Sequence, residues 1–108
     1  MLLALESSCD ETSVAVVHEG RVLANVVSSQ IKLHAEYGGV VPELATREHL
    51  RNVLPVARAA LHAAQTSASE LTAVAATLGS GLPQALMIGA RAAQGLAFAL
   101  RKPFLGIH

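Results

Sequence analysis

A single cysteine, Cys9, in 108 residues excludes an internal disulfide and fits a chain kept in a reducing compartment. Charge is scarce and balanced: eight basic residues against eight acidic ones give a formal net charge of zero. That is a poor footprint for binding nucleic acid unaided, which takes a basic face to exchange counterions with phosphate. Long uninterrupted hydrophobic runs are also missing. The apolar opening meets Glu6 and Asp10 and has neither a basic leader nor a cleavage site, so no signal peptide is expected. The apolar stretch near the C-terminus carries Arg91 and Gln94 at mid-span and is too short and polar to cross a bilayer. There is no internal repeat and no low-complexity tract. His18, His34, His49, His62 and His108 show no short ligand spacing, so each is expected to be structural or solvated.

What is present is apolar and alanine-rich, of a length that makes one small domain around one hydrophobic core. Residues 2–6, 12–18 and 21–28 read as three strands of an antiparallel meander, with His18-Glu19-Gly20-Arg21 as the tight turn between the last two. Residues 29–41 hold the Gly38-Gly39 pair and no sustained period, and read as a loop crossing one edge of the sheet. Pro42 suits a first helical turn, and Leu50, Val53, Leu54, Ala57 and Leu61 recur at helical spacing through 43–64. Pro55 lies inside that run, which predicts either a kink or two short helices meeting near Asn52. Ser67-Ala68-Ser69-Glu70 has capping-box spacing and precedes a strand near 73–78. Pro83 opens a helix reaching about Leu100, and 103–107 is a final short strand. The element order is therefore β-β-β-α-β-α-β, an α/β chain whose helices cover one face of a five-stranded mixed sheet.

The candidate site begins in the first turn. Between two apolar strands the chain places Glu6, Ser7, Ser8, Cys9, Asp10, Glu11 and Thr12 within a few residues. Two readings stand: an ordinary hairpin whose side chains satisfy turn backbone, or a polar platform that holds a ligand. Carboxylates crowded together raise one another's pKa unless a cation or donors sit between them. A second candidate is Gly79-Ser80-Gly81 ahead of the Pro83 helix. It is either an anion site at a helix N-terminus or a plain strand-to-helix turn. On that helix, Leu86, Gly89, Ala90, Ala93, Ala97 and Leu100 form a small-residue face that serves partly as core and also suits a subunit interface.

The opening Leu5-Glu6-Ser7-Ser8-Cys9-Asp10-Glu11-Thr12, followed by Lys32-Leu33-His34-Ala35-Glu36-Tyr37-Gly38-Gly39 and Pro42-Glu43-Leu44-Ala45-Thr46-Arg47-Glu48-His49, closely resembles the TsaD family, earlier described as glycoproteases or O-sialoglycoprotein endopeptidases. Gly79-Ser80-Gly81-Leu82 and Lys102-Pro103-Phe104-Leu105-Gly106-Ile107-His108 follow in the family's order, so the resemblance spans essentially the whole chain. Two positions depart from it: family members usually carry Pro where this chain has Ser80, and Gly where it has Gln84.

The resemblance implies a ribonuclease H-like, actin-like ATPase half-domain over residues 1–108, the N-terminal half of a two-domain fold whose second domain is not in this sequence. It implies transfer of a threonylcarbamoyl group from threonylcarbamoyl-adenylate to N6 of the adenosine next to the anticodon of tRNA, with these 108 residues inactive by themselves. By the same resemblance Asp10 and Glu11 are the catalytic candidates, organising a metal-bound substrate or helping to deprotonate the attacking amine. Ser7, Ser8, Cys9, Thr12, Gly79 and Gly81 are the candidate phosphate or substrate contacts. Lys32 and His34 lie in a segment that resembles a substrate-facing or tRNA-facing loop. The family's metal ligands, for iron or zinc, are expected just after His108, so neither metal nor ATP is expected to bind these residues tightly. Implied partners are a TsaB-like subunit, a TsaE-like ATPase and tRNA, in the cytoplasm, with self-association through the helices at 43–64 and 83–100 also expected.

Two other readings compete. A non-catalytic TsaB-like paralogue would share the fold and act as a dimerisation scaffold, but Asp10-Glu11 and the His34 to Arg47 block favour TsaD. Sugar or acetate kinase half-domains carry an Asp-Gly-Thr type of turn instead. Proteolysis is not supported, because no nucleophile can be grouped with a base and an orienting residue.

Overall fold

The computed structural model describes residues 1–108, apart from the Lys32 side chain. Five strands form one mixed sheet in the order β3-β2-β1-β4-β5: β1 (Leu2–Glu6), β2 (Glu11–His18), β3 (Arg21–Ser29), β4 (Ala73–Thr77) and β5 (Phe104–Ile107). The first three pair antiparallel, while β4 lies parallel to both β1 and β5. The turn joining β2 to β3 has positive φ at Glu19 (49°) and Gly20 (76°), as a two-residue turn of matching twist requires.

Pairing register puts Leu3 opposite Val16 and Leu5 opposite Val14, with Val74 beside Leu3 on the parallel side. Because side chains alternate along a strand, these residues share one face, and all are buried there. The long helices α2 (Pro42–Ala63) and α3 (Pro83–Leu100) supply the other half of this core through Val53, Val56, Ala60, Ala93 and Ala97. Both helices open on proline, whose missing N–H costs nothing in a first turn.

Three expectations change. The segment 29–41 is not loop throughout, since it contains a short helix, α1 (Ile31–Ala35). Of the two alternatives for the run at 43–64, the pair of short helices is excluded, since one helix continues through Pro55. Pro55 and Arg51 are both exposed, so the Arg51 carbonyl left without an intrahelical donor is open to water. The buried stripe of α2 runs through Ala45, His49, Val53, Val56 and Ala60, and leaves Leu50 and Leu54 exposed. The rotation of α2 that does this also carries His49 into the sheet end, where it finds hydrogen-bond partners. The Ser67 amide donates to the Glu70 carboxylate at 3.1 Å over a single 3-10 turn, Ala68–Glu70, as the capping pattern predicts.

Candidate functional site

The chain between β1 and β2 is held by a different element at each successive residue. Ser7 is buried, and its hydroxyl donates to the Ala85 carbonyl at 2.7 Å while accepting from the Gly89 amide at 3.1 Å. Those two groups are four residues apart on α3, so Ser7 bridges one rung of the helix ladder. The Ser8 carbonyl accepts from the Leu82 amide at 2.7 Å, the Cys9 carbonyl from His49 Nε2 at 2.7 Å, and the Asp10 carbonyl from the Gln30 amide at 2.8 Å. Three consecutive carbonyls are thus tied to the start of α3, the middle of α2 and the start of α1.

The neighbouring side chains divide sharply. The Glu6 carboxylate accepts from the Ser8 amide with one oxygen and from the Thr77 hydroxyl, at 2.9 Å, with the other. It is a brace between β1, β4 and the turn. Thr12 is fully buried, with its hydroxyl 2.8 Å from His49 Nδ1. Asp10 is half-buried and Glu11 exposed, and neither carboxylate has a hydrogen-bond partner among the described residues. Asp10 and Glu11, with Glu6, Ser8 and Cys9, line a small cavity of about 190 Å³.

Gly81 packs directly against this turn. At its φ of +156° a Cβ would lie 2.5 Å from the Ser8 carbonyl oxygen, so only glycine lets the two chains touch. Gly79 instead faces His108, whose Nδ1 would lie 3.2 Å from a Cβ at that position. Gly79, Ser80 and Gly81 also border a larger groove of about 600 Å³ along α3, with Met87, Arg91 and Gln94. Both glycines are therefore next to the 7–10 turn or to the groove beside it.

His34 is buried, its Nε2 2.6 Å from the Gln30 side-chain oxygen and its Nδ1 accepting from the Val41 amide at 3.0 Å. With both nitrogens engaged, it shapes the loop and borders a cavity of about 390 Å³ shared with Asp10, Gly38 and Gly39. Lys32, paired with it in the sequence reading, lies outside the residues whose side chains are described. Among the described residues no group of three His, Cys, Asp or Glu side chains is placed to hold a metal. No described helix is long and apolar enough to cross a membrane.

Of two residues that organise the turn, sequence reasoning gave His49 a structural or solvated role without placing it here, and did not single out Gln30. His49 carried a signal, since it stands four residues from Ala45 and from Val53 in the buried stripe of α2. Gln30 carried none, because its role comes from where the end of β3 lies beside Asp10. The small-residue face of α3, also read as a subunit interface, is core: Ala93 is fully buried within the chain's own packing.

Comparison with known proteins extends this picture. The chain is 53% identical over its whole length to a tRNA N6-adenosine threonylcarbamoyltransferase of Trichlorobacter lovleyi and covers 32% of that protein. It is 51% identical to the protein of the same name from Moorella thermoacetica, with 99% of the chain and 32% of that protein aligned. It thus spans about a third of the length of the curated relatives it matches. Among solved structures, YeaZ from Pseudomonas aeruginosa is similar at TM-score 0.75 and 33% identity, over 98% of this chain and 43% of that one. The shared architecture is the ribonuclease H-like, actin-like ATPase fold. The model of the family described as TsaD, tRNA N6-adenosine threonylcarbamoyltransferase, matches residues 21–108, and with it the chain belongs to the TsaD family.

Proposed function

We propose that this chain works in threonylcarbamoyl transfer to tRNA, and that its 7–11 turn forms one wall of the transfer site. In the reaction, N6 of the adenosine beside the anticodon attacks the carbamoyl carbonyl of threonylcarbamoyl-adenylate. A nitrogen–carbon bond forms, the carbon–oxygen bond to the phosphate breaks, and AMP leaves. The amine must lose a proton, and the Asp10 and Glu11 carboxylates are acceptors at the turn to which no described residue donates. The observation carrying this reading is that no described residue donates to either carboxylate, beside a Glu6 whose two oxygens both accept as a brace.

Each peptide here is trans, so pinning the carbonyls of Ser8 and Cys9 inward turns the amides of Cys9 and Asp10 away from the body of the domain. Outward amides next to the Ser8 and Cys9 side chains suit an anionic group such as the adenylate phosphate. ATP and a divalent metal, iron or zinc, enter through the full assembly, with metal ligands outside the described residues. The test is a transfer assay on the full natural protein with tRNA, threonine, bicarbonate, ATP and its partner enzymes. Loss of turnover in Asp10→Asn or Glu11→Gln supports the reading, and wild-type turnover in both overturns it.

The likeness to YeaZ favours a second reading, a TsaB-like scaffold, and also a TsaB-like subunit as partner. Identity of 51–53% to the transferases against 33% to YeaZ weighs toward the first reading. For association we assign Leu50 and Leu54 on α2 and Met87 and Phe98 on α3, which are exposed and apolar. A TsaE-like ATPase, tRNA and a cytoplasmic location complete the proposal.

A further inference from the structure

We propose that His49 is a positioning residue for the 8–10 turn, setting the plane of the Cys9–Asp10 peptide through which the chain presents Asp10. This rests on the transfer reading above. His49 is fully buried in the middle of α2, forty residues from the turn it touches. A carbonyl oxygen only accepts, so Nε2, 2.7 Å from the Cys9 oxygen, carries the ring hydrogen. In the neutral ring Nδ1 then accepts from the Thr12 hydroxyl at 2.8 Å. The imidazole is therefore oriented from both sides, by β2 through Thr12 and by the turn through Cys9.

The consequence follows from peptide planarity. Holding the Cys9 carbonyl toward α2 sends the Asp10 amide the opposite way, and the carboxylate of Asp10 starts from that fixed plane. The Asp10 carbonyl is held separately by the Gln30 amide, so the residue is clamped at both of its peptides. Without the His49 donor, the Cys9 carbonyl must seek water, and the plane is free to rotate. His49 touches no substrate in this scheme. It acts through Cys9 and Asp10.

Two substitutions separate its two hydrogen bonds. A glutamine amide reaches about where Nε2 sits, so His49→Gln keeps a donor for Cys9. An asparagine amide reaches about as far as Nδ1, so His49→Asn keeps the Thr12 contact and loses the Cys9 one. In the full natural protein, His49→Gln is expected to keep the amide resonances of Asp10 and Glu11 and a KM for threonylcarbamoyl-adenylate within about twofold of wild type. His49→Asn is expected to shift those resonances and raise KM about tenfold, the weight of one lost hydrogen bond. Equal behaviour of the two variants would overturn the assignment. Should both unfold, the wild-type ring nitrogens decide: nitrogen-15 spectra must show the Nε2–H tautomer, and the Nδ1–H tautomer would sink the proposal. Absence of transfer in the wild-type protein removes the functional reading, while the amide and tautomer measurements still judge His49.

Discussion

The Ser7 hydroxyl occupies the space where a Cβ on residue 89 would sit, 2.5 Å from such an atom and 3.1 Å from the Gly89 amide. The strand that opens the chain and the helix eighty residues later meet at one hydroxyl and one missing side chain. Gly89→Ala is expected to cost about 1–3 kcal/mol by overpacking this contact. Ser7→Ala is expected to cost only about 0.5–1.5 kcal/mol, because the Gly89 amide and Ala85 carbonyl are a natural helical pair and can bond to each other. The double variant should then be more stable than Gly89→Ala alone. Urea denaturation of the four proteins forms the cycle, and additive losses would refute the steric account.

The three acids of the first turn should separate in one set of variants. Asp10→Asn and Glu11→Gln are expected to lower the transfer rate about 10²- to 10⁴-fold and to leave the melting temperature nearly unchanged, as neither carboxylate accepts from a described residue. Glu6→Gln is expected to lose about 1–2 kcal/mol of stability, since the Ser8 amide and Thr77 hydroxyl lose a charged acceptor. Calorimetry beside the transfer assay reads both columns.

At the crossing of the Gly81 loop over Ser8, Gly81→Ala is expected to destabilise by more than about 1 kcal/mol, combining a φ unfavourable to alanine with a Cβ against backbone. Gly95→Ala, with open space around its Cβ, is the control and should be neutral or stabilising by up to about 1 kcal/mol. Equal effects in a denaturant titration would mean that the close approach is relieved at no cost.

Leu54→Glu should leave the melting temperature within a few degrees of wild type, because Leu54 is 62% exposed, and should weaken association with a TsaB-like subunit or a second copy. Ala93→Glu should unfold the domain instead, since Ala93 is fully buried. Sedimentation equilibrium checks the first and circular dichroism the second. Unchanged association in Leu54→Glu would remove that surface from the interface.

Local chemistry alone determined much of this protein. Alternating Leu3, Leu5, Val14 and Val16 made strands, Glu19-Gly20 made the hairpin, and Pro42 and Pro83 opened the helices, because each signal acts over a few residues. Family motifs at the turn and around His34 likewise marked the candidate site before any fold was known. Only the tertiary structure decided which polar groups are braces and which are free. Glu6 and Asp10 are both acids of one turn, yet Thr77 and the Ser8 amide engage the first carboxylate, while no described residue donates to the second. The same holds for the continuity of α2 through Pro55 and for its rotation, which exposes Leu50 and buries His49. Such outcomes depend on partners far away in sequence, His49 on Cys9 and Ser7 on Gly89. Burial and hydrogen bonding are properties of the assembled neighbourhood, whereas periodicity and capping are properties of the local chain.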